Sequence, residues 1–182
     1  TDLALHAYRS ATNADPGFVL PWIAMANVHC DMRRFTEAVE ASHRAIAIAP
    51  GNPDSHYALG RTLIHAGKLH DAAESLHKVT EIEPNHLEAH ANLALCHEEF
   101  MRFDEAIKQY RKVIDIAPQE PGYWTNLLFR LTHEESLSPA DLFKEHVAFG
   151  NQLERSLATD CPTHENPKDP NRPIRVGFVS AD

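Results

Sequence analysis

Along most of the chain, large apolar residues return every three or four positions with polar residues between them, the spacing that lines one face of a helix. Small residues take fixed places within these stretches. Ala26, Gly60 and Ala94 each follow a large apolar residue, and Ala38, Ala72 and Ala106 stand at matching places further on. Pro16, Pro50, Pro84 and Pro118 punctuate the pattern at intervals of 34 residues, each closing a similar phrase ("ATNADP", "AIAIAP", "TEIEP", "IDIAP"). A helix cannot continue through such a proline, and the residue before it is pushed towards extended backbone. The pattern predicts an all-α chain of repeated helix pairs.

Aligning on the prolines extends the match. The first helix of each pair reads Trp22-x2-Met25-Ala26-x2-His29, His56-x2-Leu59-Gly60-x2-Leu63, His90-x2-Leu93-Ala94-x2-His97 and Trp124-x2-Leu127-Leu128-x2-Leu131. The second gives Ala4-x3-Tyr8, Ala38-x3-Ser42, Ala72-x3-Leu76 and Ala106-x3-Tyr110, with Phe35, Leu69 and Phe103 at one equivalent place between the helices. Small residues let two antiparallel helices approach, and large ones a turn away fill the space between them. Period and residue pattern resemble the tetratricopeptide repeat (TPR) family over residues 1 to 131. The resemblance implies a solenoid, because one helix pair cannot bury its apolar face alone and stacking supplies the core.

The expected organisation follows. Residues 1–18 give the second helix of a partial repeat, and 19–52, 53–86 and 87–120 give three complete ones. A degenerate repeat with capping helices occupies 121–158, where Ser138 is the expected N-cap and Pro139 the first helical residue of one helix. Residues 159–173 hold Pro162, Pro167, Pro170 and Pro173, an extended proline-rich connector. Residues 174–182, "IRVGFVSAD", read as one orphan β-strand. A lone strand needs a sheet, so the chain is expected to be a piece of a longer protein.

Charge and composition narrow the function. Net charge is −9, and no Lys/Arg cluster offers the basic face that nucleic acid requires. No apolar run reaches membrane-spanning length. Three widely spaced cysteines, Cys30, Cys96 and Cys161, read as reduced thiols of a cytoplasmic protein. No nucleophile elbow or glycine-rich phosphate loop is present, so no catalytic and no cofactor-binding residue is assigned within the segment.

Thirteen histidines raise the question of a metal. His86 and His90 are four apart, with His97 two turns on, yet a zinc site needs three or four ligands. His56 and His90 also occupy the place of Trp22 and Trp124, and His29 shares a core place with His97. They read as core residues whose polar tips are hydrogen-bonded locally, and no metal ligand is assigned.

Binding is the stronger prospect. In TPR solenoids the first helices line a concave groove suited to extended peptides. One groove slot holds Ala24, Ala58, Asn92 and Asn126, and the slot three residues later holds Asn27, Arg61, Leu95 and Phe129. An asparagine amide donates and accepts together, so it can clamp a peptide backbone whatever its side chains. Asn27, Arg61, Asn92 and Asn126 are the groove candidates; the alternative for Asn92 and Asn126 is simple exposed polarity. A clamp for a C-terminal carboxylate is disfavoured by Asp54, Glu88, Glu98 and Glu99 nearby.

The tail suggests a finer identity. TPR repeats, then "SPADLFKEHVAFGNQLE", then "HENPKDPNRPIRVGFVSAD" resemble the junction in TPR-containing O-linked N-acetylglucosamine transferases and the related plant-type O-fucosyltransferases. There the phrase matched by Arg175-Val176-Gly177-Phe178-Val179-Ser180 and Asp182 opens a Rossmann-like glycosyltransferase domain. The resemblance implies a parent enzyme that uses a nucleotide-sugar donor, UDP-GlcNAc before GDP-fucose, and acceptor proteins held in the groove. Of the family's asparagine ladder, Asn92 and Asn126 match while Ala24 and Ala58 do not. The competing expectation is a non-enzymatic TPR adaptor, and a homo-oligomer is left open.

Overall fold

A computed structural model describes residues 2–134 and 136–157. Among these residues there are nine helices and no strand: α1 (Asp2–Ala14), α2 (Val19–Asp31), α3 (Phe35–Ile48), α4 (Pro53–His65), α5 (Leu69–Ile82), α6 (Leu87–Glu99), α7 (Phe103–Ile116), α8 (Pro121–Thr132) and α9 (Pro139–Leu157). The connector at 159–173 and the strand expected at 174–182 lie outside the described residues.

Consecutive helices pack against one another from α1 to α9, and α2 also touches α4. This neighbour-on-neighbour order is that of a helical solenoid. The core is divided accordingly into three clusters. One joins α1 to α4 around Ile23, Met25 and Ala41, a second joins α4 to α6 around Leu63, Leu76 and Leu93, and a third joins α6 to α9 around Tyr110, Leu127 and Leu131.

In the second complete repeat a small residue makes room for a large one. A Cβ built on Gly60 would meet Leu76 Cγ at 2.8 Å and Cδ2 at 2.9 Å, so the fully buried Leu76 occupies the space that glycine leaves. In the next repeat Ala94 and the fully buried Tyr110 share one core cluster.

The turns repeat as closely as the helices. After α2, α4 and α6, Arg33, Gly67 and Met101 take positive φ (58°, 73° and 56°). The amide of the next residue then bonds back to the helix: Arg34 to His29 O at 2.9 Å, Lys68 to Leu63 O at 2.8 Å, and Arg102 to His97 O at 2.8 Å. This is the left-handed helix ending that glycine favours, and a side chain held there costs about 1–2 kcal/mol. Only Gly67 advertises the turn in the sequence.

Second helices end as the prolines require. Ala49, Glu83 and Ala117 have φ near −130° (−134°, −126° and −132°), extended backbone before Pro50, Pro84 and Pro118. The following first helices start with different caps. Asn52 Oδ1 accepts from Ser55 N at 3.1 Å, and His86 Nδ1 accepts from Ala89 N at 3.3 Å. Ser138 Oγ caps α9 by accepting from Asp141 N at 3.1 Å, with Pro139 beginning the helix as expected. α9 then closes the last cluster through Trp124 against Phe149 (5.9 Å between centroids) and Arg111 on Glu145 (2.7 Å).

Candidate binding face

Each first helix carries one stripe of residues at helical spacing, and the stripes repeat every 34 residues. They are Leu20, Ala24, Asn27, Asp31 on α2; Asp54, Ala58, Arg61, His65 on α4; Glu88, Asn92, Leu95, Glu99 on α6; and Gly122, Asn126, Phe129, His133 on α8. Two hydrogen-bonding sets tie neighbouring stripes together. Arg61 Nη2 on α4 donates to Asn27 O (3.3 Å), Asn27 Oδ1 (3.2 Å) and Asp31 Oδ1 (3.2 Å) on α2. Asn92 Nδ2 on α6 donates to Tyr57 Oη on α4 at 3.4 Å. The expected candidates Asn27 and Arg61 are therefore brought together, but on each other.

Further along, the face is open. Asn126 is exposed and makes no side-chain hydrogen bond within the described residues. Leu95 is 46% exposed and Phe129 64%. The helices also spread apart: α2 and α4 pack side by side, α4 and α6 touch sparsely, and α6 and α8 hardly at all.

Tyr57 lies at the middle of the face, its ring 4.8 Å from that of His86. Burial, and then the Glu88 charge, raise its phenol above the ordinary range, against the Asn92 hydrogen bond and the Arg61 charge. Glu88 stands in the first turn of α6. Its Oε2 lies 3.4 Å from His86 Nδ1. That nitrogen accepts the capping bond from Ala89, so while it caps it carries no proton and forms no ion pair with Glu88. Glu98, by contrast, is committed, accepting from Tyr110 Oη at 3.0 Å.

The histidines divide into two sorts. In the aromatic slot, His56 Nε2 donates to Pro50 O at 2.8 Å and His90 Nε2 to Pro84 O at 3.0 Å, just as Trp124 Nε1 donates to Pro118 O at 2.9 Å. His90 Nδ1 also pairs with the Gln109 side chain at 2.7 Å. The local bonding expected for this slot is present at three of four places; Trp22 Nε1 is buried without a partner. His29 and His97 depart from expectation. Both are buried, and Nδ1 of each lacks a hydrogen-bond partner. Burial lowers the pKa of both, against Glu37 for His29 and reinforced by His77 for His97. Leu63 and Leu131 take this slot in the other repeats; His29 shares a pocket with Arg9, Glu37, Glu40 and Arg44, and His97 lies against the His77 ring, 6.0 Å between centroids.

Among the described residues, no group of three or more His, Cys, Asp or Glu side chains is placed to hold a metal, and no helix is long and apolar enough to cross a membrane. Cys30 and Cys96 are buried free thiols.

A face built from the first helices of stacked pairs, with the turns and slots above, defines a TPR solenoid. The tetratricopeptide repeat family model matches residues 31–76 and 63–128, and the chain belongs to that family. No curated protein matches it in sequence. Among solved structures, MamA 41-end from Desulfovibrio magneticus RS-1 superposes with a TM-score of 0.70 at 18% identity, over 88% of this chain and 88% of that one. The first TPR of Spaghetti (RPAP3), bound to the HSP90 peptide SRMEEVD, gives 0.60 at 15% identity over 63% and 90%. The Arabidopsis OM64 TPR domain gives 0.60 at 16% over 64% and 96%. At these identities the likeness is one of fold.

Proposed function

We propose that the chain is a protein-interaction module, an adaptor segment that holds an extended peptide of a partner protein along its first helices. The carrying observation is the exposed set Leu95, Asn126 and Phe129, with the half-buried Asn92 beside them, on a face whose other half is hydrogen-bonded across repeats. The solved relative that holds an HSP90 peptide supports the same use of the fold. Asn126 offers both amide groups to a peptide backbone, and Asn92 its carbonyl, since its NH2 already reaches Tyr57. Selection of a displayed random-peptide library on the chain tests this. Asn92→Ala with Asn126→Ala should weaken the selected peptides about tenfold or more while circular dichroism holds constant. Unchanged binding would remove both residues from the site.

A finer reading rests on sequence alone, on the junction from Ser138 through the prolines to the phrase ending at Asp182. In it the module guides acceptor proteins to a nucleotide-sugar-dependent transferase that modifies Ser/Thr hydroxyls, with UDP-GlcNAc as donor. The discriminating observation is the coding sequence after Asp182: a following glycosyltransferase domain supports the enzyme, and a prompt stop codon leaves the adaptor.

A further inference from the structure

The open half of the face has a definite chemistry. On α6, Leu95 stands between Asn92 and Glu99 at helical spacing, with Glu88 two turns before it; on α8, Phe129 holds the equivalent place. α6 and α8 pack sparsely against each other, and the exposed Leu95 and Phe129 stand at equivalent places on the two helices. A partner anchors on such a site by filling it with apolar surface and excluding water from the polar groups around it.

Charge decides what surrounds that anchor. Among the described residues the stripes carry four carboxylates, Asp31, Asp54, Glu88 and Glu99, and one guanidinium, Arg61. Asp31 and Arg61 are already paired at 3.2 Å. Among the described residues, Asp54 and Glu99 have no cationic partner, and Glu88 meets only the capping nitrogen of His86. His133 is engaged through Nδ1 with Phe129 O at 2.8 Å. The open half is therefore apolar in the middle and negative at its edges. An acidic ligand would be repelled, whereas a cation would gain from the two unpaired carboxylates of α6, Glu88 and Glu99.

We propose that the face between α6 and α8 takes an extended peptide with a bulky apolar side chain flanked by lysine or arginine. The apolar side chain lies between Leu95 and Phe129, and the cations meet Glu88 and Glu99. This deepens the peptide-binding reading and rests on it. It also separates the chain by ligand charge from its solved relative that holds the acidic peptide SRMEEVD.

The test is selection of a random-peptide phage library on the chain, repeated on Phe129→Ala and on the double charge reversal Glu88→Lys with Glu99→Lys. Circular dichroism monitors folding of each variant. The expected consensus is net positive with a Leu, Ile, Met or aromatic residue. Enriched peptides should weaken about tenfold on either variant and bind less tightly as salt rises. The charge reversal should turn the consensus acidic. An acidic or neutral consensus that still depends on Phe129 would overturn this proposal and leave the peptide-binding face standing. Peptides indifferent to Phe129 and to both asparagines would overturn both.

Discussion

The two ends of the first-helix face are built on the same core and finished differently. Between α2 and α4, Arg61 ties Asn27 and Asp31 across the repeat junction, and the helices pack closely. Between α6 and α8, the equivalent places hold Leu95 and Phe129, both exposed and without a bond across the repeat junction among the described residues, and the helices pack sparsely. A repeat protein can vary its outer stripe freely because the slots that hold the stack, Met25, Leu59, Leu93 and Leu127, point the other way along each helix. On the proposed reading, binding falls to the exposed stripe residues and stability to the buried slots of the same helices.

That comparison can be broken by disturbing what the halves share. Leu76 behind the closed half and Leu127 behind the open half are both almost fully buried (0% and 1% exposed). Leu76→Ala and Leu127→Ala should each cost about 3 kcal/mol by urea unfolding. A cost below about 1 kcal/mol at Leu127 would mean that the open half lacks a comparable core.

A smaller and pH-dependent effect comes from His29 and His97, one in each half. Burial lowers both pKa values in the folded chain, so the unfolded chain binds protons more readily. Their contribution is present above the ordinary histidine pKa of 6.5 and is lost as pH falls below it towards the folded values. The melting temperature should drop from about pH 7.5 to about pH 5.5. His29→Leu and His97→Leu, residues the repeat itself uses at Leu63 and Leu131, should each shrink that drop. An unaltered drop in the double variant would place the titration elsewhere.

The smallest effects sharpen the contrast of the outer faces. Arg61→Ala removes bonds on which α2 and α4 meet and should cost about 1 kcal/mol or less, since the ion pair is partly in water. Phe129→Ala should change stability by no more than about 0.5 kcal/mol, although it removes the proposed anchor. Equal costs at the two places would show that the open face is structural after all.

The repeat was legible in the sequence because it depends on side-chain size alone, and size survives when identity varies. Ser138 and Pro139 were legible for a similar reason, as a helix start carried by two adjacent residues. Arg33 and Met101 were hidden, because a left-handed turn is written in the sequence only when glycine occupies it. The missing partners of His29 and His97 were equally hidden: periodicity puts a residue in the core, but not which polar atoms it meets there. The Asn27–Arg61–Asp31 set left a faint signal. Arg61 and Asn27 are one period apart and Asp31 one turn further on, a register in which opposite charges of adjacent repeats meet.

The ring-to-carbonyl bonds from His56, His90 and Trp124 have a mechanical consequence. Each fastens the start of a first helix to the proline turn that precedes it, acting as a latch on one joint of the stack. Trp22 leaves its nitrogen unengaged, so the Pro16 joint has no latch. Under a pull along the solenoid axis, that joint is held by its turn, Gly17 N on Asp15 Oδ1 at 2.9 Å and Phe18 N on Asp15 O at 3.1 Å, and not by a ring.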